Sequence, residues 1–438
     1  MDLDNLDTFR IATCDLNGQM RGKRMPQKDQ RKLASGDLRM PLSVLNVDIW
    51  GADIINSPLL FASGDGDGYL LPTNRGPVPM PWLDQPSALV GMWMFEEDGR
   101  PFKGDPRHAL AQILDRYAAR GWQVVAATEL EFYLIDDSAE SLRPPKDPAS
   151  NRKIDSSAIL SLQQLDAFEA FFSELYQSCA QMGINAQAAS SEAGIGQFEI
   201  SLQHGDALRI ADDTWLFKTL LKGLARKHGY AASFMAKPYP NDAGNGLHLH
   251  FSVIDEAGEN IFDDGTKQGS PLLQNAIAGC LATMRAATLG FAPHANSYTR
   301  MDPENHAPTS ICWGYENRTA ALRIPAGAHR ARRIEHRVAG GDINPFLTLS
   351  LILGAALLGI EDDLTPPPPI TGNAYSQDLP QLIHSWSEAI DMFENDPMIA
   401  RILPAQLIEN FSLTKRQELD GLKNIPQEEH WKIYLETV

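Results

Sequence analysis

The chain has 438 residues with 38 Lys and Arg against 56 Asp and Glu, a net charge of −18. That balance repels polyanions and argues against a nucleic-acid or anionic-membrane partner. At roughly 150 residues per domain the length calls for two or three domains around sizeable cores, and a hydrophobic share of 43% with 21% charged residues excludes wholesale disorder.

Residues 9–72 alternate short apolar runs with turn formers such as Asn17-Gly18, Ser35-Gly36 and the run Gly64 to Gly68, which predicts a small strand-rich N-terminal domain. Prolines and glycines then punctuate the chain up to Gly104 and Pro106, so the boundary is placed there, giving domains 1–104 and 105–438. Helical spacing of Leu110, Ile113, Leu114 and Tyr117 predicts a helix over 107–120. Strands are expected over 123–135, 185–189, 197–202 and 247–254, with helices over 162–182 and 214–228. This order reads as α+β because no regular βαβ repetition is visible. The apolar run 346–360, preceded by Asn344-Pro345, is too short to span a bilayer and reads as a buried helix. Cys14, Cys179, Cys280 and Cys312 are scattered without C-x-x-C spacing, which argues against a thiolate zinc site or disulfide framework and for a reducing, cytosolic compartment. The acidic start, Met1 to Asp7, fits neither a signal nor a transit peptide.

Four segments concentrate chemistry. Glu129 and Glu131 are two apart, so on a strand they share one face while Leu130 and Phe132 take the other; alone, this pattern equally suits a solvated outer face. His248, His250 and Ser252 share a face in the same way, behind Gly244 and Gly246, whose lack of a side chain lets a ligand approach the backbone; the H-x-H pair by itself would also suit a zinc hydrolase. Glu192 and Glu199 are seven apart and would oppose each other on a regular strand, but Gly194 and Gly196 break it, so both can face one site. Arg318, Arg323, Arg333, Glu335 and Arg337 form the fourth segment, a row of guanidiniums around a carboxylate, able to bind phosphate or carboxylate. Glutamates with one histidine suit magnesium or manganese better than zinc. Metal, phosphate and carboxylate binders together indicate phosphoryl transfer.

From Asp15-Leu16-Asn17-Gly18 through Asn317-Arg318-Thr319 and Arg333-Ile334-Glu335-His336-Arg337 to the C-terminus, the sequence resembles the glutamine synthetase family, and within it the glutamate–putrescine ligase branch. The resemblance implies a β-grasp N-terminal domain, a catalytic α/β domain, and a ring oligomer, a dodecamer of two hexameric rings, with active sites between neighbouring subunits. It implies Glu131, Glu192 and Glu199 as ligands of one divalent metal, magnesium or manganese, and Glu129, His248 and Glu335 as ligands of a second. His250, Ser252 and Arg333 match ATP-binding positions, Arg318 and Arg323 the arginines that grip the transferred phosphoryl group, and Asn245, Gly246, Arg300 and Arg337 the positions that hold glutamate. The implied reaction forms γ-glutamyl phosphate from ATP and glutamate, then an amide with a small amine.

The departures concern the amine. His306 stands shortly before Ala307-Pro308 where ammonia-using members carry a glutamate, and the Asp-Gly-Ser-Ser loop is replaced by a stretch containing Asp48 and Trp50. An alkylamine, with a pKa near ~10.4, is protonated at neutral pH and needs a base; His306 or Asp48 is expected to serve. An organic amine such as putrescine is therefore the expected acceptor, with ammonia-dependent glutamine synthesis and a non-catalytic relative as the alternatives. The short chain between Glu361 and Gln381 implies that the tyrosine loop some bacterial members use for adenylylation is absent.

Overall fold

The computed structural model describes residues 3–60, 62–302 and 307–438. Two sheets organise it. The first contains β1 (Thr8–Cys14), β2 (Met20–Pro26), β3 (Arg39–Pro41), β4 (Asp67–Pro79) and β5 (Ala88–Phe95) in the order β2-β1-β5-β4-β3. Its pairings are antiparallel except for β1 against β5, which run parallel.

Strand periodicity gives β1 two buried faces. Phe9 and Ile11 enter a small core with Val90, Met92 and Met94, while Ala12 and Cys14 join the main core with Leu89. The first sheet thus packs on both sides, once on its own loops and once on the rest of the chain.

The second sheet contains β6 (Gln123–Ile135), β7 (Ala186–Ser191), β8 (Gln197–Leu202), β9 (Gly205–Asp206), β10 (Ala231–Ser233), β11 (Leu247–Ile254), β12 (Trp313–Tyr315), β13 (Leu322–Ile324) and β14 (Ile334–His336). Its main order is β12-β13-β14-β11-β6-β8-β7, with β9 and β10 also paired to β6. The expected strands over 123–135, 197–202 and 247–254 form with those bounds. One face of this sheet is apolar: Leu130, Phe132, Ile200, Leu249, Phe251 and Ile334 are all buried. Helices Pro106–Ala118, Ala207–Lys227 and Pro345–Glu361 contribute to the same core.

Pro345–Glu361 is the apolar run expected to be a buried helix. Asn344 caps it by accepting from the Phe346 and Leu347 backbone N–H groups, and it is buried from Pro345 to Gly359, as a helix apolar all round must be. Gly359 meets Gly279 of helix Pro271–Met284 so closely that a Cβ at Gly279 would lie 2.6 Å from the Gly359 nitrogen. Among the described residues no helix is long and apolar enough to cross a membrane.

Two helices differ from expectation. The one expected over 162–182 is interrupted at Phe168 between Leu162–Ala167 and Glu169–Met182. The buried Phe168 ring packs edge-on against Phe198 and Tyr230, and its backbone leaves helical geometry at φ −106° and ψ 25°. The helix expected from 214 starts at Ala207, capped by Asp206 accepting from the Arg209 N–H. Asp212 and Asp213 hide that first turn from an apolar pattern, yet both are buried: Asp212 forms a two-pronged pair with Arg107 at 2.8 Å, and Asp213 pairs with Arg75 and Arg209. All four cysteines are buried and unpaired.

Candidate active site

The other face of the second sheet is charged, and register alone assembles it. His248 sits opposite Glu129 and His250 opposite Ala127 across β11 and β6; Glu199 sits opposite Glu131 across β8 and β6; Glu335 sits opposite both His250 and Arg323. Directly opposed side chains on one face stand about 5 Å apart at Cβ, so five strands deliver their polar side chains to one patch. The Glu192 and Glu199 problem resolves as the glycines suggested. Gly196 takes φ +81° in the turn between β7 and β8, and Glu192, just past the end of β7, accepts from the Ser190 hydroxyl at 3.1 Å.

Glu129 is the hub, 3.3 Å from His248 Nδ1 and 3.2 Å from His250 Nε2. Ligand atoms of Glu129, Glu199 and His248, and separately of Glu129, His250 and Glu335, converge closely enough to hold a cation each. This differs from the expected partition. Glu129 belongs to both groups, His250, which the resemblance gives to the nucleotide, to the second, and Glu131 and Glu192 stand beside them. Glu131 instead accepts from the Gly246 N–H at 2.6 Å.

The electrostatics show what the patch lacks. Burial opposes ionisation of Glu129, but hydrogen bonds from His248 and His250 outweigh it and hold the carboxyl far below the usual range. At Glu335 burial is again outweighed, by the charges of Arg337, the two histidines and Arg323. At Glu192 the Ser190 hydroxyl and the Arg318 charge, and at Glu199 the Arg337 charge, do not outweigh burial. Burial and the Glu131 charge push Glu192 up to about 7; burial with the charges of Glu129, Glu131 and Glu192 pushes Glu199 up to about 9. A cluster of hard oxygen donors with too little positive charge of its own fits a magnesium- or manganese-type ion.

Guanidiniums ring the patch. Arg323 Nη1 donates to Glu335 at 2.8 Å, Arg337 donates to the other Glu335 oxygen, and Arg333 Nε lies 3.2 Å from His250 Nδ1. Arg318 is exposed on the turn after β12, with its charge acting on Glu192. Buried Arg300 donates to the Val338 carbonyl at 2.9 Å, and a Cβ added to Gly246 would fall 2.8 Å from its Nη2, so glycine lets this guanidinium approach the backbone. Asn245 turns inward: its amide donates to the Ser233 and Met235 carbonyls and accepts from Gln197.

A cavity of about 460 Å³ opens beside Glu129, lined by His250, Ser252, Arg333 and Ala331 among others, which brings the three residues assigned to ATP together. Its remaining lining, including Gln187 and His204, carries no sequence signal. Asp48 lies elsewhere. Its carboxylate accepts from the Trp50 and Ala52 N–H groups and from Gln417, none of them on this face. His306 lies outside the described residues. The segment 361–381, read as too short for a functional tyrosine loop, carries Tyr375 on the turn Ala374–Ser376; its hydroxyl feels the charges of Arg337 and Arg300.

The fold and this face together define a class, enzymes that hold divalent cations and an anionic cosubstrate on the polar face of a largely antiparallel sheet. The profile of the glutamine synthetase catalytic domain matches residues 103–434, and the chain belongs to the glutamine synthetase family. It is 35% identical over 420 residues to gamma-glutamylputrescine synthetase PuuA of Escherichia coli (strain K12), covering 95% of this chain and 89% of that protein. Identity is 32% to a glutamate–isopropylamine ligase of Pseudomonas sp, over 95% and 92% of the two chains. The ligand-free structure of GmaS aligns with a TM-score of 0.84 at 27% identity, over 98% and 97% of the chains.

Proposed function

We propose that the protein is an ATP-dependent ligase that joins glutamate to an organic amine through γ-glutamyl phosphate. The observation that carries this reading is the single polar sheet face on which carboxylates, histidines and guanidiniums converge beside a cavity able to take a nucleotide. The names of the relatives reported above, one a gamma-glutamylputrescine synthetase and one a glutamate–isopropylamine ligase, support an alkylamine as acceptor.

In this mechanism His250, Ser252 and Arg333 bind ATP. Arg300, Arg337 and the backbone at Asn245 and Gly246 hold glutamate so that its γ-carboxylate lies in line with the γ-phosphoryl group. Positioning of this kind supplies much of the rate in phosphoryl transfer. Arg318 and Arg323 neutralise charge on the transferred phosphoryl oxygens. Glu129, Glu131, Glu192, Glu199, His248 and Glu335 hold magnesium or manganese, which supplies further charge neutralisation when bound. An amine then attacks the acyl phosphate and phosphate leaves, the amine's proton passing to a base. His306 is assigned that role, because Asp48 is tied to its own loop and to Gln417; Asp48 serves instead if a neighbouring subunit presents it.

The same reading takes the first sheet, with its central parallel pair β1 and β5, as a β-grasp variant, places the domain boundary at residue 104, and expects a cytosolic dodecamer of two hexameric rings. Phosphate release from ATP and glutamate should be faster with putrescine, ethanolamine, isopropylamine or methylamine than with ammonium. Fastest turnover with ammonium would identify a glutamine synthetase instead, and none with any amine a non-catalytic relative.

A further inference from the structure

Two polar atoms at the buried guanidiniums have no hydrogen-bond partner among the described residues. The turn that carries Tyr375 is tied down on both sides: Asn317 Nδ2 donates to the Gly372 carbonyl at 2.8 Å and the Ala374 N–H donates to Thr319 Oγ1 at 2.9 Å, while Ala374 is buried with Cys312 and Ala320. The anchored turn holds the phenol with its hydroxyl buried; Ala374 packs on Ala320, whose neighbour Ala321 accepts from the Arg337 N–H at 3.0 Å, and the charges of Arg337 and Arg300 act on the phenol. That hydroxyl has no hydrogen-bond partner among the described residues, and neither has Arg337 Nε.

Arg337 spends Nη1 on Glu335 and Arg300 spends Nη1 on the Val338 carbonyl. Buried donors without acceptors are uncommon, and each destabilises the protein while it stays unpaired. The Tyr375 hydroxyl and the free Nε–H of Arg337, with the Arg300 guanidinium, form a receptor for a group that only accepts hydrogen bonds and carries negative charge, such as a carboxylate. A phenol is suited to complete it, because it donates without adding a third positive charge to a crowded site.

We propose that the Tyr375 hydroxyl donates a hydrogen bond to a carboxylate of the acid substrate, beside Arg300 and Arg337, and so helps select that substrate. The inference rests on the reading that these two arginines hold glutamate.

The test is Tyr375→Phe, which removes the oxygen and keeps the ring. Binding is measured by titration calorimetry, adding glutamate, aspartate or 2-oxoglutarate to the full-length protein saturated with magnesium and a non-hydrolysable ATP analogue. A lost hydrogen bond to a charged group predicts about tenfold weaker glutamate binding, with the affinity for the ATP analogue unchanged and the melting temperature of the ligand-free protein not lowered. In turnover the same loss should appear in KM for the acid and not in KM for ATP. Equal glutamate affinity in the two proteins overturns the Tyr375 assignment and leaves the proposed function standing. If the unsubstituted protein binds only another of the acids and Tyr375→Phe weakens it, Tyr375 stands and glutamate is replaced as substrate. Binding of no acid by the unsubstituted protein overturns both.

Discussion

The molecule buries two clusters of charge, and they are built to opposite rules. Between the first sheet and helix Ala405–Leu422, Lys415 donates to Asn17, to Glu418 at 2.9 Å and to His294 at 3.5 Å, while Asn17 Nδ2 donates to the second Glu418 oxygen at 2.8 Å. Lys415 and Glu418 are both fully buried, and one positive charge meets one negative charge. On the polar face of the second sheet the charges are not matched in place: Glu192 and Glu199 are pushed toward their neutral forms, and Arg337 Nε and the Tyr375 hydroxyl have no acceptor among the described residues. A buried cluster with its ion pair matched one to one holds the fold together, even with His294 Nε2 left without a partner among the described residues and burial pushing Glu418 up. One that is left incomplete is waiting for ligands, and its imbalance indicates their charge.

The largest test of this contrast is Glu199→Gln. Removing an oxygen donor from the incomplete cluster should lower turnover by about 10²–10³-fold, without lowering the melting temperature, because Glu199 is already pushed toward the neutral form that glutamine mimics. A fall in stability matching the fall in activity would break the distinction.

The converse substitution is Lys415→Met. It strands Glu418 as a buried charge and should cost about 3–5 kcal/mol of stability, read from urea unfolding, while KM for ATP and for glutamate stay unchanged in the protein that remains folded.

A smaller effect is expected from pH. Glu192 and Glu199 ordinarily titrate near 4.5 but are raised in the folded chain to about 7 and about 9. Between those limits the folded state carries more protons than the unfolded state, so metal-free protein should lose stability as pH rises from 5 toward 9. Magnesium should restore it, more at pH 8 than at pH 5, in melting curves recorded with and without the ion. The smallest effect is that of Ser252→Ala in the cavity beside Glu129, expected to raise KM for ATP about two- to fivefold with kcat preserved.

Strands β6, β8 and β11 were legible to the residue because a half-buried strand writes its two faces into alternate positions, and the candidate residues on them, Glu129, Glu131, Glu199, His248 and His250, meet on one face for that reason. Which of these side chains lie nearest one another was not legible. It depends on which strands are neighbours and in what register, so Glu129 reaches across to both histidines, a pairing that no spacing along the chain encodes. The break at Phe168 and the early start at Ala207 were hidden for a related reason: a ring drawn onto Phe198 and acids matched to Arg107 and Arg75 are decisions of tertiary contact. Tyr375 was passed over because its segment is irregular, and only the anchoring of Gly372 and Ala374 to Asn317 and Thr319 reveals where its hydroxyl lies.

Strand β1 gives its odd-numbered side chains to one core and its even-numbered ones to another. A single residue inserted between Phe9 and Cys14 would exchange the two sets, forcing phenylalanine and isoleucine into spaces shaped for alanine and cysteine. A chain cut at residue 104 would expose the apolar face that Ala12, Cys14 and Leu89 bury in the main core. A hybrid that borrows the N-terminal strands of a relative must therefore bring matching partners for Ala12 and Cys14, and the two halves of this enzyme are constrained to change together.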